Sequence, residues 1–162
     1  MSAAPFDLTE SRVIPASATT IYDLISDIPQ MSRYSPETVG TTWIDGATRA
    51  EVGARFKGAN AIGAMRWSTK PVVTAADPGR RLSFRVPSGA ISHWTYTLEP
   101  VPGGTRVIES MHSERSMPAV IRLLTRLAGV RDRAEHLRAG MAATLAQLSA
   151  AAVAAEASVT AR

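Results

Sequence analysis

Between Val39 and His112 the chain reverses direction at short, regular intervals. "VGTTWI" ends at Asp45-Gly46, "ARFKGANA" at Gly63, and "MRWSTKPVVTAA" at Asp77-Pro78-Gly79. "RLSFRV" ends at Pro87-Ser88-Gly89 and "ISHWTYTL" at Pro100 to Gly104, after which "TRVIESMH" follows. Each piece has strand length and strand residues, and each stop is a turn signal. Six strands joined this tightly leave room only for hairpins, so they predict one antiparallel meander. Such a sheet has a face to hide, and the rest of the chain must cover it.

The flanks supply the cover. "FDLTESRVI" over 6–14 alternates as a further strand, with Phe6, Leu8 and either Val13 or Ile14 as apolar contacts. "PASATTIYDLISDI" opens at Pro15 and Ser17 as a helix start, and Ile21, Leu24, Ile25 and Ile28 follow at helical spacing. Pro29 and Pro36 bracket a short second helix or a loop. After Pro118, Val120, Leu124, Leu127, Ala134, Leu137, Met141, Leu145 and Leu148 recur three, four or seven apart as one apolar stripe. Gly129 is where this segment stays continuous or divides into two helices. Residues 1–5 are expected to be disordered, 6–150 to form a single domain, and 151–162 to fray, since that tail has little to bury. The expected class is α+β: a curved sheet of about seven strands around a long C-terminal helix, with two short helices after the first strand.

Composition excludes several functions. The length of 162 residues suits one domain, and 45% hydrophobic with 20% charged residues is the balance of a soluble globular protein. No apolar run approaches the roughly 18 residues that span a bilayer, and "MSAAPFDLTESRV" lacks a secretory pattern, so the cytoplasm is the expected location. There is no cysteine. The net charge is +4, but the arginines are scattered from Arg12 to Arg162 without interleaved aromatics, so nucleic acid is not an expected partner. His93, His112 and His136 form no metal-ligand spacing, and no phosphate loop, dinucleotide fingerprint or serine elbow occurs; no metal and no cofactor are expected.

Phasing the strands assigns an interior. Basic residues fall on one face of each strand, at Arg55, Lys57, Arg66, Lys70, Arg85 and Arg106. The opposite face holds Phe56, Gly58 and Asn60, then Trp67 and Thr69, Phe84, Trp94 and Tyr96, and finally Val107, Glu109 and Met111. The phasing turns Ile108 outward and puts a carboxylate inside. Glu109 is therefore either a solvated or partnered structural acid or a polar contact for a ligand, with proton transfer as a narrower role for Glu109 and Tyr96. The other ligand-binding candidates are Tyr34, Phe56, Asn60, Trp67, Thr69, Phe84, Trp94, Met111, Gly140 and Met141.

"ATTIYDLISDIPQMSRYSPE", "VGARFKGAN", "RWSTKPVVTAADPGRRLSFRV" and "WTYTLEPVPGGTRVIES" together resemble the START-like, helix-grip proteins of the SRPBCC superfamily, which includes polyketide cyclase/dehydrase and lipid-transport proteins. The resemblance runs from about Phe6 to Leu148, and the turns in "ADPGRRLSF" and "TYTLEPVPGGTRV" are its most telling parts. It implies a cavity between sheet and last helix, but fold alone does not choose an activity. The leading expectation is binding of a small hydrophobic ligand, namely a lipid, polyketide or aromatic metabolite. A polyketide cyclase/dehydrase using an internal acid is the alternative. A third reading makes "RLLTRLAGVRDR" a basic amphipathic surface for a membrane or protein, although sheet-covering explains its stripe more simply. A monomer or a homodimer fits any of these.

Overall fold

A computed structural model describes residue 5 and residues 7–162, so the expectations for 1–4 and for Phe6 lie outside the described residues. The strands are β1 (Asp7–Ile14), β2 (Thr38–Ile44), β3 (Arg55–Ile62), β4 (Met65–Thr69), β5 (Val72–Asp77), β6 (Arg81–Val86), β7 (Ser92–Val101) and β8 (Gly104–Ser113). All pairings are antiparallel, in the order β1-β8-β7-β6-β5-β3-β2, with β4 also on β3. The expected strand "MRWSTKPVVTAA" is thus two. Pro71 has no N–H for the ladder, so pairing breaks there, while its carbonyl still accepts from Phe56 N at 3.2 Å. β3 pairs with both halves, Gly58 facing Thr69 and Arg55 facing Val72, and the sheet bends between them.

After β1 the chain makes helix α1 (Ala18–Ser26), where Ser17 caps by accepting from Thr20 N at 3.1 Å. A 3-10 helix, Ile28–Arg33, follows with proline in its first turn. The C-terminal segment divides at Gly129, whose φ of +94° suits glycine, into α2 (Ala119–Leu127) and α3 (Arg133–Thr160). Asp132 caps α3 by accepting from Glu135 N at 3.1 Å.

The division corrects the expected stripe. Leu137, Met141, Leu145 and Leu148 are buried on α3, but Val120, Leu124 and Leu127 are exposed because the break turns α2 off the sheet. The tail also differs from expectation. α3 continues to Thr160, Ala152 is completely buried, and Glu156 Oε1 accepts from Ser17 N and Thr20 Oγ1, both at 2.8 Å. These bonds hold the Glu156 carboxyl below the usual range. By length and composition α3 would suffice to cross a membrane, contrary to the sequence expectation. Here its Leu137–Ala152 row packs on the sheet.

Among the described residues two apolar clusters result. The larger joins α1, the sheet and the C-terminal half of α3 through Ile21, Ile25, Phe56, Leu82, Val107, Leu145 and Leu148. The smaller joins Leu8, Met111, Leu137 and Met141.

The β7–β8 turn at Pro102-Gly103 fixes the register of the last hairpin, and two adjacent glycines there have different jobs. Gly103 has φ +85° and open space around it, whereas a Cβ on Gly104 would strike the Ile14 carbonyl and approach Pro15 Cα to 2.9 Å. Gly104→Ala is expected to destabilise by more than about 3 kcal/mol and Gly103→Ala by about 1–2 kcal/mol, read from urea midpoints. Ending the chain after Ala150 removes Ala152 and Glu156; stability should drop by about 2 kcal/mol and Tm by roughly 4–8 °C in thermal melts.

Candidate functional site

Alternation along the strands sends one set of side chains toward α3, but sheet and helix do not close on each other. They enclose a cavity of about 860 Å³. Phe56, Gly58 and Asn60 of β3, Trp67 and Thr69 of β4, Phe84 of β6, Trp94 and Tyr96 of β7, and Glu109 and Met111 of β8 line it. Gly140 and Met141 face them from α3. The structure thus brings together every candidate from the sequence except Tyr34. That residue is buried in the larger core cluster and closes the 3-10 helix through a backbone bond to the Met31 carbonyl. The proline-started 3-10 turn carries it into the core, away from the cavity wall.

Several lining groups are already engaged. Phe56 lies edge-on between Trp43 and Phe84, with ring centroids at 5.9 and 5.4 Å, and so serves the core as well as the wall. Asn60 Oδ1 accepts from Thr38 Oγ1 at 3.1 Å, and its amide nitrogen reaches the Gly58 carbonyl at 3.4 Å. Trp94 Nε1 donates to Ser92 Oγ at 3.1 Å. A Cβ at Gly58 would sit 3.3 Å from Thr69 Oγ1, so glycine leaves that hydroxyl room against β3.

Glu109 is different. It is only 3% exposed, and register places it opposite Tyr96 on β7 and Glu10 on β1. Tyr96 Oη donates to Glu109 Oε1 at 2.8 Å, while Oε2 is buried with no hydrogen-bond partner among the described residues. Burial pushes the carboxyl up to about 8; the tyrosine bond pulls it back and the Glu10 charge adds to the rise. Burial, with Glu109 beside it, also holds the Tyr96 hydroxyl well above 10. Near neutral pH both groups keep their protons. With Oε1 accepting from the tyrosine, the acid's own proton belongs on Oε2.

One polar cluster on the wall escaped the sequence reading. Arg133 Nη1 and Nη2 reach Glu37 Oε2 and Oε1 at 2.6 and 2.5 Å, and His136 Nε2 lies 3.6 Å from Glu37. Nearly a hundred residues separate the partners, so only the fold pairs them; no local pattern marks the bond. Met117, Ile121, Leu124 and Thr125, on and just before α2, complete the wall at another side. Among the described residues no group of three His, Asp or Glu could hold a metal ion.

A curled antiparallel sheet gripping a long helix, with a cavity between them, defines a helix-grip protein. The chain belongs to the polyketide cyclase/dehydrase and lipid transport family, whose model matches residues 5–153. Among solved structures it is similar to a polyketide cyclase-like protein from Corynebacterium glutamicum, at 27% identity and TM-score 0.57, covering 96% of this chain and 94% of that one. The di-domain ARO/CYC protein of the steffimycin biosynthetic pathway is similar at 12% identity and TM-score 0.75, over 95% of this chain and 52% of that one. Major latex-like protein 151 from Panax ginseng aligns at 14% identity and TM-score 0.69, over 93% and 99% of the two chains. Among curated proteins no sequence matches this one.

The raised carboxyl makes a pH prediction. An unfolded chain returns Glu109 to about 4.5, so the folded state binds this proton more tightly. Its stability contribution is complete below 4.5, falls as pH rises, and is lost above about 8. Glu109→Gln cannot ionise. The variant should match the wild type near pH 4.5 and become more stable than it by a few kcal/mol above pH 8, about 1.4 kcal/mol per unit between, in paired urea titrations. Tyr96→Phe deletes the one bond that lowers this pKa and should move the wild-type loss to higher pH.

Proposed function

We propose that the cavity holds a small, mainly apolar molecule carrying one oxygen function, in the class of lipids, polyketides or aromatic metabolites. The observation that carries this reading is Glu109, a residue of the cavity wall whose Oε2 is buried without a hydrogen-bond partner among the described residues. Such an atom costs about 1–3 kcal/mol unless something bonds to it. A ligand carbonyl accepting the acid's proton, or a hydroxyl donating to the oxygen, would supply that bond. The volume lies in the range of small-molecule pockets, and Trp67, Trp94, Met111 and Met141 provide apolar walls. Membership in a family described by both lipid transport and cyclase/dehydrase chemistry supports either use.

A second reading, polyketide cyclisation or dehydration, is favoured by the protonation state of the same acid. A neutral carboxylic acid can give its proton to a carbonyl oxygen as an enol carbon bonds to that carbonyl carbon, or to a hydroxyl leaving as water. The carboxylate then takes back the enol O–H proton in the first case, or the neighbouring C–H proton as the double bond forms in the second. Tyr96 would then steady the carboxylate through Oε1. Asn60 suits carbonyl holding less well than its position suggests, because both ends of its amide are bonded within the sheet.

The two readings separate in one set of measurements. Apolar molecules that co-purify are identified by mass spectrometry and returned to stripped protein, with Tm as the readout; binding at a hundredfold excess over Kd adds about 2.7 kcal/mol. A carrier with Glu109→Gln should bind such a molecule roughly tenfold more weakly and turn nothing over. A cyclase with the same change should keep the ligand and lose product formation by a factor on the order of 100 or more. If no apolar ligand raises Tm and none co-purifies, the pocket reading is wrong.

A further inference from the structure

α2 is built inside out. Val120, Leu123, Leu124 and Leu127 lie at positions i, i+3, i+4 and i+7, the spacing of one helical stripe, yet they are 62%, 58%, 47% and 76% exposed. The side turned inward is led by Thr125, which is buried and satisfies its hydroxyl on the Arg122 carbonyl at 3.0 Å. An ordinary surface helix presents the opposite arrangement, and a contiguous exposed apolar stripe marks a contact surface.

The orientation is fixed by the chain. Pro118 starts the helix and Gly129 ends it with a positive φ. Ile121 Cδ1 lies beside Gly89 in the β6–β7 turn, and the Ala128 carbonyl lies beside Gly63 in the β3–β4 turn. α2 therefore bridges two sheet turns, and Leu124 is at once outer surface and cavity wall.

Charge identifies what the stripe meets. From Arg115 to Arg131 the sequence holds Arg115, Arg122, Arg126 and Arg131 and no carboxylate. Among the described residues none of these four has an acidic partner; Arg12, Arg33, Arg66, Arg80 and Arg162 have none either, but only here do four such arginines fall together around one helix. A second copy seated on the stripe would bring two such basic borders together. A surface that is anionic at the top and apolar beneath satisfies both parts, with arginine stems lying along the apolar layer and guanidinium groups on phosphates.

We infer that α2 is a docking element for an anionic lipid bilayer: its leucine stripe enters the interface, Arg115, Arg126 and Arg131 hold lipid phosphates, and the α2 end of the cavity is set at the membrane surface. This inference stands apart from the identity of the cavity ligand, since it concerns the outer face of the helix.

Co-sedimentation of the full chain with vesicles tests it. The protein should pellet with phosphatidylcholine vesicles containing phosphatidylglycerol, remain in solution with phosphatidylcholine alone, and release as salt rises. Leu123→Ser with Leu127→Ser should abolish pelleting, and Arg126→Gln with Arg131→Gln should weaken partitioning by roughly tenfold. All four positions are exposed, so thermal melts of both double variants should match the wild type. Failure to pellet with anionic vesicles at low salt overturns the inference, as does pelleting that the leucine changes leave intact. A wild-type dimer in size-exclusion chromatography that the leucine pair converts to monomer, with no vesicle binding, would assign the stripe to self-association instead.

Discussion

A sheet that curls strongly cannot lie flush along a straight helix, and the rest of this structure depends on that mismatch. Where α3 runs close to β1, and where its C-terminal half meets α1, large aliphatic side chains fill the gap and make the core. Between that core and the smaller Leu8–Met111–Leu137–Met141 cluster the surfaces diverge, and the cavity follows. The break at Pro71 divides β3's partner into two strands, β4 and β5. Architecture thus makes the space first, and the residues on its walls decide what the space can hold.

Those walls carry one feature that stability alone would not select. A leucine at position 109 would bury apolar surface without a desolvation penalty, whereas a carboxyl there must stay protonated or remain under-bonded. Tyr96 satisfies only Oε1, although the register would allow further donors around it. A fully bonded acid would be structural. A half-bonded one, on a residue that lines a void large enough for a ligand, keeps bonding capacity in reserve, which supports the proposed ligand site.

Much of this was legible in the sequence because strands have period two. Six basic residues, Arg55, Lys57, Arg66, Lys70, Arg85 and Arg106, name the outer face, and the inner face follows by subtraction, including Glu109 with Ile108 turned outward. What escaped had no periodic signature. Tyr34 is a ligand-binding candidate in the sequence, but its place depends on where a 3-10 turn delivers it. The tail looked unable to bury anything because it is mostly alanine; yet alanine is small enough for α3 to approach the sheet closely, and Glu156 ties it to α1. Spacing alone makes one stripe from Val120 to Leu148 because it ignores direction, and the positive φ at Gly129 sends the two halves to different surfaces.

The helix opposite the acid shows how the space is kept open. Gly140 lines the cavity although no close approach demands a glycine: a Cβ there would come no nearer than 3.8 Å to Pro36. In a helix interior glycine costs about 1 kcal/mol relative to alanine, so the sequence gives up helix stability at a position where a larger residue would project into the void. Thr144, one turn on, returns its hydroxyl to the Gly140 carbonyl at 2.9 Å and so presents mainly its methyl to the cavity. Gly58 across the sheet likewise gives up a side chain beside Thr69. Small residues on facing elements, a satisfied hydroxyl and an unsatisfied acid are what a wall needs if its missing contacts are to come from a ligand.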